Sequence, residues 1–213
     1  MRSYVLPAAS IAAVAALMLA AGCAGLHSNE AAPQIYLLSS AAPPSPAPSA
    51  TVGAAPAIPV APAVTLQVLR PLAAAGLDTE QIALLRDTQR LNYYAASRWP
   101  APLPDLLQTL AIDALRASGR FRAVQPDATA FAADEVLQIE IRHCQVEYSP
   151  DGTPLVHVQL LATLGRRTDR ALLESVTAES NKPAAVNRMQ SVVAAFQDAV
   201  NEALTQLATR LMP

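Results

Sequence analysis

His143 and His157 are the residues of this chain whose type and spacing come closest to a metal site, because they flank an Asp151-Gly152 pair and would meet across a hairpin. Zinc needs such imidazoles to converge on one point. Asp-Gly favours a two-residue turn. That turn pairs Pro150 with Thr153, and hence His143 with Leu160, Ile141 with Ala162 and Ile139 with Leu164. In this register Leu137, Ile139 and Ile141 share an apolar face with Val156, Val158, Leu160, Ala162 and Leu164, while Gln138, Glu140 and Arg142 share the other with Gln159 and Thr163. A slip of one residue would exchange the faces. His157 then faces Val146, on the side of the sheet opposite His143, and the two rings are predicted not to share a metal. Nearer the turn Gln145 and Glu147 fall on the apolar face and Val146, Tyr148 and Leu155 on the polar one. The tip is therefore read as projecting past the core, either as a solvated end or as a contact surface.

No other catalytic or cofactor pattern is present. The chain lacks a G-x-S-x-G elbow, an H-E-x-x-H pair, a P-loop and a glycine-rich dinucleotide turn. Glu135, Glu140, Asp151 and Glu174 read as solvated strand edges, so no enzyme activity, no metal and no cofactor are expected. Cys144 reads as a small apolar strand residue without a helper to activate its thiol. Cys23 differs. It closes an apolar run from Ile11 through Leu17, Met18 and Leu19 to Ala21, preceded by a single charge, Arg2. The run is too short and Ala-rich to span a bilayer and has the layout of a secretory signal. Leu19-Ala20-Ala21-Gly22-Cys23 resembles a lipobox, with Ala20 where leucine is usual, and implies cleavage between Gly22 and Cys23 and acylation of Cys23. The alternative is an ordinary signal peptide with Cys23 incidental. Acyl chains on Cys23 would anchor the chain, each buried methylene contributing about 0.8 kcal/mol. Cys144 would then have no intramolecular partner, which excludes a disulfide framework.

Loss of residues 1–22 removes one positive charge, Arg2, and takes the formal net charge from -2 to -3. Lys182 is the only lysine, and no basic cluster interleaved with aromatics suggests nucleic acid. Residues 23–34 form a membrane tether, and 41–63 are almost wholly Ala, Pro and Ser, a composition for an extended linker or an inserted loop. Between them Ile35-Tyr36-Leu37-Leu38-Ser39 is apolar, and 35–40 is read as a first edge strand; failing that, everything from Cys23 to Ala63 is one tether.

Residues 64–213 read as one α+β domain, an antiparallel or mixed sheet packed against two helices. Val64, Leu66 and Val68 mark a strand ended by Pro71, and Ile82, Leu84 and Leu85 mark another. A turn near Asp87 to Arg90 leads into the aromatic strand Leu91 to Trp99. Leu103, Leu106, Leu107, Leu110, Ala114 and Leu115 recur at helical spacing, with Gly119 as the stop. From about Ala184 a second helix carries Val186, Met189, Val193, Phe196, Val200, Leu204, Leu207 and Leu211 as an apolar stripe. It suits a sheet cover better than a coiled coil.

This order of features resembles the ABC-type transport auxiliary lipoproteins, among them the paraquat-inducible lipoprotein C group. The resemblance is carried by the lipobox, Tyr36-Leu37-Leu38-Ser39, Tyr93-Tyr94 followed by Arg98-Trp99 and a Pro-containing turn, and a Leu-rich helix closing on Ser118-Gly119-Arg120-Phe121. It implies a non-enzymatic lipoprotein at the periplasmic face of the outer membrane, with Ala24 after the acylated cysteine in keeping with that membrane. It also implies an MCE-domain partner and, through it, an inner-membrane ABC permease and ATPase, moving phospholipid or other hydrophobic molecules. A stand-alone lipid-binding carrier is the alternative, and a homo-oligomer is compatible with either. Tyr94, Trp99 and Tyr148 are the expected partner interface, unless the aromatics fill the core.

Overall fold

The computed structural model describes residues 32–40, 64–86 and 90–211. Cys23, Gly22, the tether as far as residue 31 and the Pro-rich run lie outside the described residues, while Gln34, read as the end of the tether, belongs to the first strand. The chain divides into two units, 1–32 and 33–213, and every element named below belongs to the second.

The strands are β1 (Gln34–Ile35), β2 (Thr65–Val68), β3 (Leu72–Ala73), β4 (Gln81–Arg86), β5 (Arg90–Arg98), β6 (Ala123–Pro126), β7 (Glu135–Tyr148), β8 (Pro154–Arg166) and β9 (Leu172–Pro183). The helices are α1 (Leu103–Ala117) and α2 (Met189–Arg210). β7 is the spine. At 14 residues it is long enough for three short strands, β2, β3 and β4, to pair with it in parallel, while β8 lies antiparallel to it along nearly its whole length. β5 pairs with β4 and β1 with β5, β6 pairs with β2, and β9 pairs with β8. Among the described residues the result is the expected α+β fold with a mixed sheet and two helices.

Alternation along β8 explains the layering. Val156, Val158, Leu160, Ala162 and Leu164 are fully buried, and α2 packs over β8 and β9. Phe196, Ala199, Val200 and Ala203 of α2 are likewise fully buried. The small residues Ala199 and Ala203 let a helix approach a sheet closely, and one covered face removes both apolar surfaces from water. The helix begins five residues later than the stripe suggested. Ala184 N–H still donates to Pro154 O, continuing the β9 pairing, and Val186 is 52% exposed ahead of the first turn. At the end of α1, Ser118 N–H reaches Ala114 O, and Gly119 takes φ +66, the left-handed geometry that ends a helix most cheaply with glycine.

The apolar patch after the tether pairs as a strand only at Gln34–Ile35, with Tyr36 N–H adding a bond to Arg98 O. Past that point it is held by α2 instead. Leu38 is buried, and Ser39 N–H donates to Gln197 Oε1 at 2.8 Å.

Two departures from simple pairing decide what the β7–β8 hairpin presents. The turn holds three residues, Pro150, Asp151 and Gly152, closed by Ser149 N–H to Thr153 O at 3.0 Å, with Gly152 at φ +82 supplying the left-handed position. Farther down, Ile141 pairs with Leu160 and His143 with Gln159, which leaves Arg142 as a β-bulge. The predicted register is therefore off by one residue above the bulge and by two below it. Below, the shift of two preserves the faces. Above, the shift of one exchanges them: Cys144 and Val146 are buried with Val158 and Val156, and the core runs on toward the tip rather than stopping short of it.

Candidate functional site

The turn end of the hairpin is the first candidate. Tyr94 from β5 and Tyr148 from the last position of β7 are both half-buried, and their hydroxyls lie 2.9 Å apart. Burial, and then the bond to Tyr148, hold the Tyr94 phenol well above its ordinary value. Beside them an open groove of about 720 Å³ is lined by Leu85, Arg86, Glu147, Tyr148 and the turn itself. Trp99, expected at this interface, is not available to it. It is 2% exposed, and its indole meets Phe196 edge-on, with centroids 5.3 Å apart at 86°. Such an edge-to-face pair belongs to the core between sheet and helix. The backbone N–H of Trp99 donates to Glu80 O, where β5 ends and the chain turns in toward α1.

The second candidate is the open face of the same hairpin, turned away from α2. Here the sequence reading is corrected. With the register shifted by one, His143 and His157 lie on one face and their rings stack, with centroids 4.5 Å apart and planes at 11°. Glu147 joins them, and one ligand atom from each of the three residues lies within 4.8 Å of the others. His157 Nδ1 is 3.0 Å from Glu147 Oε1, and its Nε2 is 3.1 Å from Glu179 Oε1 on β9. Gln145, only 5% exposed, donates from Nε2 to His143 Nδ1 at 2.9 Å and to Glu147 Oε1 at 3.1 Å. A hydrogen bond from Gln159, chief among several contacts, holds the Glu179 carboxyl below its usual range.

A signal for this cluster existed in the sequence. The apolar positions of β7 run Leu137, Ile139, Ile141 and then Cys144, Val146, Tyr148, a change from odd to even that marks an inserted residue. Cys144 itself is fully buried, and burial pushes its thiol up to about 12, which leaves it protonated and a poor nucleophile.

Over residues 36–208 the sequence matches the family described as ABC-type transport auxiliary lipoprotein component. The chain belongs to that family. The match spans the folded unit from the residue after β1 to the last turn of α2. No curated protein matches the sequence at a significant level. Among solved structures, a DUF330-family protein of Xanthomonas campestris is similar with a TM-score of 0.64 and 23% identity, covering 83% of this chain and 90% of that one. An uncharacterized protein is similar with a TM-score of 0.55 and 12% identity, over 68% of this chain and 90% of the other. At these identities the likeness concerns the fold alone. Among the described residues no helix is long and apolar enough to cross a membrane.

Proposed function

We propose that this auxiliary lipoprotein is a non-enzymatic docking component held at the periplasmic face of the outer membrane by a lipid on Cys23. Its partner is an MCE-domain protein that connects it to an inner-membrane ABC permease and ATPase moving phospholipid or other hydrophobic molecules. The observation that carries this reading is the family match across the whole folded unit, joined to a lipobox ending at Cys23. ATP hydrolysis falls to the partner ATPase.

Docking is favoured over carriage of lipid by the way the interior is filled. A carrier would need an apolar cavity between sheet and helices, yet Trp99, Phe196, Leu107, Leu160 and Val200 occupy that layer with 2% exposure or less. The grooves found at the tip, between α1 and α2, and along α2 are open to solvent. The groove beside Tyr94 and Tyr148 is the docking end in this reading.

Native mass spectrometry of the chain with and without an MCE-domain partner tests it. A complex with no lipid retained by the chain alone is the expected result. Retained lipid with no partner binding would establish the carrier instead. A Cys23→Ala chain is expected to fold, to leave the membrane fraction as a soluble periplasmic protein and to lose transport. Its retention in membranes would place the anchor elsewhere.

A further inference from the structure

We propose that His143, Glu147 and His157 bind a zinc ion on the open face of the β7–β8 hairpin, with Glu179 as the positioning residue behind His157. Two imidazoles and a carboxylate are a donor set that zinc takes readily, whereas magnesium and calcium prefer oxygen throughout.

The lone pairs already converge. Gln145 Oε1 accepts the backbone N–H of Cys144 at 2.9 Å, which fixes the orientation of the amide and leaves Nε2 as the end that faces the cluster. An amide nitrogen only donates, so His143 Nδ1 and Glu147 Oε1 must present bare lone pairs to it at 2.9 and 3.1 Å. The NH₂ group thus stands where a cation would satisfy the same atoms. His157 adds the third ligand. Its Nε2 faces Glu179 Oε1 at 3.1 Å, a carboxylate–histidine arrangement in which Nε2 keeps its proton when Nδ1 takes the metal. Nδ1 in turn is 3.0 Å from Glu147 Oε1, and the proton shared between them is released to water as the metal binds.

The distances require side-chain motion only. Two ligands at the usual zinc distance of about 2.1 Å in a tetrahedron lie about 3.4 Å apart. The cluster atoms fall within 4.8 Å, so the widest gap must close by about 1.4 Å. The stacked rings would tilt toward each other as Gln145 withdraws, and an open sheet face permits this where a packed core would not. Water completes the fourth position, and the ion ties β7 to β8 directly and to β9 through Glu179.

Calorimetric titration of the full chain with zinc chloride, after chelator treatment, tests the site. One equivalent is expected at micromolar affinity or tighter, with Tm raised on the order of 5–10 °C at a hundredfold excess over Kd. Magnesium should produce no shift. His157→Ala and Glu147→Gln should each abolish binding, and Glu179→Gln, which touches no metal, should weaken it about ten- to a hundredfold. Should His157→Ala fail to fold, cobalt added to the unaltered chain still reads the site, since tetrahedral coordination gives intense visible absorption and an octahedral aquo ion does not. The proposal is overturned if no heat appears at a hundredfold molar excess of zinc. It is equally overturned if zinc stays bound to a His143→Ala/His157→Ala chain, or is lost on replacing His27, the remaining histidine, which lies in the tether at 23–34.

Discussion

The two faces of the β7–β8–β9 sheet are built from the same strands and differ in almost everything else. One, under α2, is aliphatic and dry: Ile139, Ile141, Val156, Val158, Leu160 and Ala178 have 1% exposure or less. The other is a chain of hydrogen bonds from His143 through Gln145, Glu147 and His157 to Glu179 and Gln159. Arg142, the bulged residue, is what lets one strand serve both faces over its full length, because it changes which side an odd-numbered residue takes. The contrast teaches that the polar face is not a leftover of the apolar one. It depends on one extra residue being taken up as a bulge, without which Cys144 and Val146 would face solvent.

Inserting one residue between Cys144 and Gln145 is the most severe way to break this division, whereas deleting Arg142 would only restore plain alternation and leave both faces as they are. Val146 would turn to solvent and Gln145 and Glu147 would turn toward α2, at a cost on the order of 5 kcal/mol or more, enough to abolish the folded state. Loss of a cooperative thermal transition in far-ultraviolet circular dichroism is the expected result. Phe196→Ala strikes the covered face alone. It leaves a cavity against Trp99 and should cost about 3–5 kcal/mol in urea unfolding, with the hairpin register intact by amide chemical shifts.

Where the covered face reaches the groove, a double-mutant cycle isolates the contact between Tyr94 and Tyr148. Tyr148→Phe strands the Tyr94 hydroxyl and should cost about 0.5–1.5 kcal/mol, and Tyr94→Phe should cost a similar amount. The double variant should cost little more than either alone, since both partners then go together. Glu135 probes the opposite sign. It shares the covered face with Leu137 and Ile139, and Glu135 Oε2 is buried without a hydrogen-bond partner. Burial raises its pKa, so whatever stability it lends is present below the ordinary carboxylate value and is lost as pH rises through the raised one. Glu135→Gln should therefore stabilise the chain at neutral pH, on the order of 1 kcal/mol, as a rise in the urea midpoint.

Smallest of all is the acid response of the solvated carboxylates. Hydrogen bonds from Arg70 to Asp78, from Gln108 to Asp127, from Gln159 to Glu179 and from Lys182 to Glu202 lower each acid's pKa. Their contribution is present above the ordinary value and is lost as pH falls through the lowered ones. A gradual drop in Tm below about pH 4 should follow, reduced in Asp78→Asn, and weak because water and salt screen exposed pairs.

What the sequence determined by itself was local. Period-two alternation, the Leu-rich spacing of Leu103 to Leu115, Gly119 and the Asp151-Gly152 pair were enough to locate the two helices, the long hairpin and the α+β class, because each rests on contacts between near neighbours in the chain. The lipobox-like residues before Cys23 and the aromatic pairs carried the family resemblance in the same way. Tertiary structure decided the rest. Asp-Gly allows a two- or a three-residue turn, and only the ladder of cross-strand bonds chose three and expelled Arg142 as a bulge, which brought His143 and His157 onto one face. Trp99 is equally at home in a core or at an interface by its chemistry, and the facing Phe196, nearly a hundred residues away, settled it. Register and burial are sums over distant partners, and no window of sequence contains them.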